Sequence, residues 1–143
     1  MNVPDQEPAY PPSVNTQPPI RILIVEDEFV VANALETDLR DDGFVVVGVA
    51  SAAEPAIATA CRERPDLVVM DIRLAGQRDG IDAALEIFAA TGIRCLFATA
   101  NSDSHALARA AAAAPLGWLH KPYGKNELLE ALGVALRALG RAP

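Results

Sequence analysis

From Ile20 onward, short apolar runs rich in β-branched residues alternate with longer segments in which apolar residues recur every three or four positions. The runs predict strands at Arg21–Glu26, Val45–Ala50, Leu67–Met70, Cys95–Ala98 and Leu116–His120. The longer segments predict helices at Glu28–Arg40, Ala53–Arg62, Ile81–Ala90, Ser104–Ala113 and Lys125–Leu139. Strands alternating with helices of this length are joined most simply by crossovers, which predicts an α/β fold: a doubly wound (βα)5 arrangement with a five-stranded parallel sheet and helices on both faces. Continuous runs such as Ile22-Leu23-Ile24-Val25 and Leu67-Val68-Val69-Met70 suit strands buried on both sides. Gly43 and Gly92 fall where the first and third helices need a left-handed terminating residue.

Residues 1–19 break the pattern, with Pro4, Pro8, Pro11, Pro12, Pro18 and Pro19 among few apolar positions. Such composition favours extended, unpacked chain, so the expectation is a disordered proline-rich tail at 1–19 and one folded domain at 20–140. Only Gly140 to Pro143 follow the fifth helix, so no output domain is expected. With 143 residues, 51% of them hydrophobic and 22% charged, the chain can bury a core without disulfides. Cys61 and Cys95 fall in a helix and a strand and read as small buried apolar groups, which points to a reducing compartment. A formal net charge of −7 argues against direct binding to nucleic acid or an anionic membrane. Neither a secretory signal nor an apolar run long enough to span a bilayer is present, so a cytoplasmic location is expected.

In a parallel open sheet, ligands bind beyond the carboxyl ends of the strands. The first strand ends in Glu26-Asp27-Glu28 and the third in Met70-Asp71, so carboxylates converge on one edge. Like charges this close raise one another's pKa unless a cation neutralises them. Mg²⁺ is the natural cation, because it combines one or two carboxylates with water and phosphate oxygens. Asp71 then becomes a candidate nucleophile, since an aspartyl carboxylate can form an acyl phosphate. Thr99 and Lys121 close the fourth and fifth strands with a hydroxyl and a positive charge suited to phosphoryl oxygens. Singly, each has an ordinary explanation: Asp27 and Asp71 as helix caps, Thr99 as a strand threonine, Lys121 as a surface lysine. It is their joint placement at the ends of four strands that points to a site.

The ordered set Ile24-Val25-Glu26-Asp27-Glu28, Val69-Met70-Asp71-Ile72-Arg73, Asp79-Gly80, Phe97-Ala98-Thr99-Ala100 and His120-Lys121-Pro122-Tyr123 resembles the receiver domain of two-component response regulators, from Ile20 to about Leu139. The resemblance implies a flavodoxin-like fold, and with no output domain expected the chain reads as a single-domain regulator. Its phosphoacceptor would be Asp71, its Mg²⁺ would be held by Glu26, Asp27, Asp71 and the backbone carbonyl of Arg73, and its phosphoryl oxygens would be bound by Thr99 and Lys121. It also implies a cis Lys121-Pro122 peptide and a switch in which Thr99 moves toward the phosphoryl group as Trp118 turns inward. A plain core aromatic remains the alternative for Trp118. The implied donor is a sensor histidine kinase or phosphotransfer protein, and the downstream partner an unidentified protein. The chain would catalyse only its own phosphorylation and dephosphorylation, either to signal by binding or to serve as a phosphate sink or relay intermediate.

Two departures from the family pattern stand out. The loop Arg73 to Gly80 lacks a frequent proline and is one residue longer, and the fourth helix carries an alanine run, Ala110 to Ala114, before Pro115. That run suits either a smooth docking or homodimer face or a thinly packed helix, and the second reading is preferred because alanine offers little contact area.

Other function classes fit less well. A Mg²⁺-dependent phosphohydrolase of the haloacid dehalogenase type needs an aspartate two residues after the nucleophile, where Arg73 stands. A nucleotide- or flavin-binding protein needs a glycine-rich turn after the first strand, where Glu26-Asp27-Glu28 stands. A degenerate receiver would lack one of Glu26, Asp27, Asp71, Thr99 or Lys121, and all are present.

Overall fold

The computed structural model describes residues 17–100 and 104–141. Nearly all of the expected proline-rich tail therefore lies outside the described residues. The strands are β1 (Arg21–Val25), β2 (Val45–Ala50), β3 (Leu67–Asp71), β4 (Cys95–Thr99) and β5 (Gly117–His120). The helices are α1 (Phe29–Asp41), α2 (Ala53–Glu63), α3 (Gly80–Thr91), α4 (Ser104–Ala110) and α5 (Lys125–Ala138). All strand pairings are parallel, in the order β2-β1-β3-β4-β5. This is the doubly wound, flavodoxin-like arrangement expected, with its topological switch between β1 and β3.

The burial pattern explains why it forms. Every residue of β3 and β4 is buried, as the unbroken apolar runs require. One core lies between the sheet and α1 and α5, and contains Ile22, Ile24, Leu35, Leu39, Val69, Leu128 and Leu132. The other lies under α2 and α3 and the end of α4, and contains Val25, Ala56, Met70, Ile87, Phe97 and Ala110.

Element ends differ from the sequence expectation by a residue or two, for local reasons. The third helix starts one residue earlier, at Gly80, because Asp79 caps it: its Oδ1 accepts from Asp82 N (2.9 Å) while Asp82 Oδ2 accepts from Asp79 N (3.0 Å). The first helix starts at Phe29, since Glu28 keeps extended backbone at the N-cap. Its end runs into Gly43 at φ 91°, the left-handed position expected, and Gly92 at φ 78° terminates α3 likewise. The fourth helix is shorter than expected. It tightens into a 3₁₀ turn at Ala111–Ala113 and ends at Ala114, which caps it left-handed at φ 51°, and Pro115 then keeps the helix from resuming. Within the alanine run Ala110 and Ala113 are buried, so those two pack on the core while Ala111 and Ala112 face outward.

Cys95 is buried in β4 as expected, but Cys61 is exposed. It occupies the outward face of α2, whose buried positions are Ala53, Ala56 and Ala60. At the amino end of the sheet, Asp66 accepts from Arg21 N (2.7 Å) and from Arg141 Nη1 (2.9 Å), and Arg141 Nη2 donates to the Pro18 carbonyl (3.0 Å). This cluster binds the start of β1 to the residues after α5.

Candidate functional site

Side chains alternate faces along a strand, and this parity assembles the site. Glu26 continues the face of Ile22 and Ile24, Asp71 that of Val69, and Lys121 that of Leu119, all on the α1–α5 side. Thr99 continues the opposite face, that of Cys95 and Phe97. Ladder hydrogen bonds carry the register past the strand ends: Glu26 N donates to Ala50 O and Lys121 N to Thr99 O, each at 2.9 Å.

Glu26, Asp71 and Thr99 are the buried polar residues among those described. Lys121 Nζ donates to Glu26 Oε1 at 3.0 Å and stands 3.3 Å from Asp71 Oδ2. The other Glu26 oxygen accepts from Glu28 N at 3.1 Å, which turns the chain into α1. Asp27 is exposed, yet Glu26, Asp27 and Asp71 each offer a carboxylate oxygen within 4.8 Å of the others. Asp27, Asp71, Arg73, Thr99 and Lys121 line one polar cavity of about 560 Å³. The structure therefore brings together every residue singled out from sequence except Trp118. The Lys121-Pro122 peptide is cis, as the resemblance implied.

Burial, and then the charge of Glu26, push the Asp71 carboxyl up to about 6 against the opposing pull of Lys121. Burial works against the Lys121 ammonium, but the hydrogen bond to Glu26 and the charge of Asp71 outweigh it and raise its pKa. Tyr123, beside Lys121, is pushed up to about 12 by burial and then by Glu26. A single ammonium among three carboxylates leaves uncompensated negative charge that a divalent cation matches, and oxygen-only donors suit Mg²⁺.

Trp118 pairs with Phe97, one pleat back from Thr99 on the same face, and its half-buried indole stacks on Phe97 with ring centroids 4.9 Å apart and planes at 20°. It is thus a sheet-edge aromatic behind the site.

The long loop after Asp71 is braced along its length. Ala75 forms a parallel bridge with Ala52, Leu74 packs on the core, and Gly76 turns at φ 93°. Arg78 pairs with Glu86 (2.5 Å) and Glu54 (3.6 Å). A Cβ on Gly80 would stand 1.9 Å from the Asp71 carbonyl oxygen, so only glycine lets α3 approach the acceptor strand this closely.

Two features escaped the sequence reading. One is this physical need for Gly80, which had registered only as part of a family motif. The other is Arg109 of α4, which reaches Asp79 and Asp82 across the fold. The Asp79-x-x-Asp82 spacing is a legible capping signal, but nothing local marks Arg109 as its partner.

Residues 22–133 match the family model for the response regulator receiver domain. This chain belongs to that family. Transcriptional regulatory protein PdtaR of Mycobacterium tuberculosis is 36% identical to this receiver over 118 residues, which cover 82% of this chain and 57% of that protein. DNA-binding response regulator MtrA of Mycolicibacterium smegmatis is 34% identical over 120 residues, covering 82% and 50%. The chain thus spans about half the length of the curated relatives it matches. Among solved structures, the signal receiver domain of a modulated diguanylate cyclase from Desulfovibrio desulfuricans G20 aligns with a TM-score of 0.77 at 31% identity, covering 85% of this chain and 96% of that one.

Proposed function

We propose that this receiver accepts a phosphoryl group on Asp71 from a phosphohistidine of a kinase or phosphotransfer protein, and signals by the resulting change in protein binding. The observation that carries the reading is the Glu26–Lys121–Asp71 cluster, buried at the carboxyl edge of the sheet and open to a polar cavity. Asp71 is ionised at neutral pH even with its pKa near 6, so its carboxylate is a competent nucleophile. An Asp71 oxygen attacks phosphorus as the donor's phosphorus–nitrogen bond breaks, and the leaving imidazole keeps the bonding electrons and takes a proton from water. Lys121 and Thr99 hold the phosphoryl oxygens, whose developing charge is the main thing to be stabilised. Glu26, Asp27, Asp71 and the Arg73 carbonyl would hold Mg²⁺, which supplies charge neutralisation between the acidic cluster and the phosphoryl group.

The receiver acts only on itself, and hydrolysis of the acyl phosphate resets it. A protein donor is supported by the first turn of α1, where Phe29 and Val30 stand 79% and 77% exposed next to Asp27 and Glu28. A groove of about 530 Å³ runs from there to Lys121, Pro122 and Tyr123, giving a partner apolar surface beside the acceptor. The net charge of −7 supports protein rather than nucleic acid as the direct partner, and the exposed free thiol of Cys61 fits a reducing cytoplasm. Among the described residues no helix is long and apolar enough to cross a membrane.

The test is incubation with Mg²⁺ and a small acyl phosphate, followed by intact-mass measurement. Wild type should gain one phosphoryl mass and Asp71→Asn none. An unlabelled wild type, or equal labelling of the variant, overturns the reading.

A further inference from the structure

We propose that the ion cluster of Arg109 with Asp79 and Asp82 is a latch that holds α4 against the acceptor site and thereby restrains phosphorylation of Asp71. The inference rests on the function proposed above and adds a regulatory element to it. Arg109 Nη1 lies 2.9 Å from Asp79 Oδ2, and its Nη2 lies 3.3 Å from Asp79 Oδ1 and 2.9 Å from Asp82 Oδ1. The guanidinium therefore grips two carboxylates that already cap α3 through each other. The hydrogen bond that Arg109 donates to Asp79 raises the pKa of its guanidinium. At Asp79, burial works against the charge, but the bonds from Arg109 and from the Asp82 backbone prevail and hold the carboxyl below its usual range.

The anchor end is rigid and joined to the acceptor. Gly80, next to Asp79, donates its N–H to Ile72 O at 2.7 Å and lies against the Asp71 carbonyl. Arg78, on the other side, is bound to α2 and α3. The tethered end is lightly packed by contrast. Of the seven residues of α4 only Ala110 is buried, and Leu107 is 39% exposed. Among the described residues, Arg109 is the side chain through which α4 forms its ion pairs. A two-turn helix with so little buried surface depends on such a tether for its position. Ala106 of α4 borders the cavity that holds Asp71, so the position of α4 sets how open that cavity is. Release of α4 widens that cavity to a phosphodonor, so removing the latch raises the rate at which Asp71 is labelled.

Arg109→Met keeps an unbranched apolar stem and removes the guanidinium and its grip. Its initial rate of labelling by a small acyl phosphate should exceed that of wild type by about threefold or more, the scale a bidentate pair of half-exposed groups can impose on a two-state element. Backbone amides of α4 should exchange hydrogen faster in the variant, while those of α3 stay protected. Asp82→Asn, which retains an oxygen for the Asp79 N–H but loses the charge facing Arg109, should move both readouts the same way. It also serves as the test should Arg109→Met fail to fold. Arg109→Lys, which engages fewer oxygens, should fall between wild type and Met. An unchanged or lower labelling rate in a folded variant overturns the latch, as does unchanged α4 exchange. Wild type that cannot be labelled at all overturns instead the phosphorylation reading on which the latch depends.

Discussion

Two aspartates in this receiver respond to pH in opposite directions, and the difference lies in what surrounds each carboxyl. Asp71, pushed up to about 6 from 3.8, binds its proton more tightly folded than unfolded. The resulting cost is absent below about pH 4, grows from there to about pH 6 and is fully present above. Asp71→Asn should therefore be more stable than wild type at neutral pH by about 1–3 kcal/mol without divalent cations, with the difference vanishing near pH 4, as urea unfolding at the two pH values would show. Asp79, held below its usual range, stabilises above the pKa of an unfolded aspartate and loses that contribution as pH falls through its own. Gly80 offers a test free of charge. An alanine there gains helix propensity but drives its Cβ onto the backbone of Asp71 and Ile72, which cannot yield as a flexible side chain would. Gly80→Ala should cost about 1–3 kcal/mol in chemical denaturation and slow labelling of Asp71.

At the scale of elements, β5 and α4 carry the least buried surface next to the site. Of the four residues of β5 only Leu119 is buried, and on the opposite face Trp118 stacks on Phe97 of β4. Phe97 shares its strand face with Thr99, so a shift at Thr99 is felt at the stack. As Trp118 is the single tryptophan of the chain, its emission should change when Mg²⁺ and a phosphoryl mimic such as beryllium fluoride are added. Constant emission under saturating ligand would remove Trp118 from the switch and leave it a structural aromatic. The latch on α4 belongs to this scale too: a helix with one buried residue and a guanidinium tether can be displaced without unfolding the two cores that flank the sheet.

For the molecule as a whole, the Mg²⁺ site proposed at the acidic cluster predicts that folding stability depends on the cation. The midpoint of thermal unfolding should rise with Mg²⁺, each tenfold increase in free ion above the dissociation constant adding about 1.4 kcal/mol. Asp27→Asn, which removes an exposed carboxylate of the cluster, should flatten that dependence while leaving the metal-free stability within about 0.5 kcal/mol of wild type. The five strands, their helices and their order were legible along the chain, because alternation of polarity is a local property and right-handed crossovers leave few ways to assemble it. Glu26, Asp27, Asp71, Thr99 and Lys121 were legible as well, since in such a sheet the ends of strands mark the ligand edge. The exposure of Cys61 was not, because a periodic pattern indicates a helix before it indicates which face turns inward. Tertiary structure alone decided that Glu26, Asp71 and Lys121 share one face, that burial lifts the pKa of Asp71, and that Arg109 closes on Asp79 and Asp82 from 30 and 27 residues away. These depend on distances across the fold, and no local periodicity records a distance between residues that meet only when the sheet and its helices have packed.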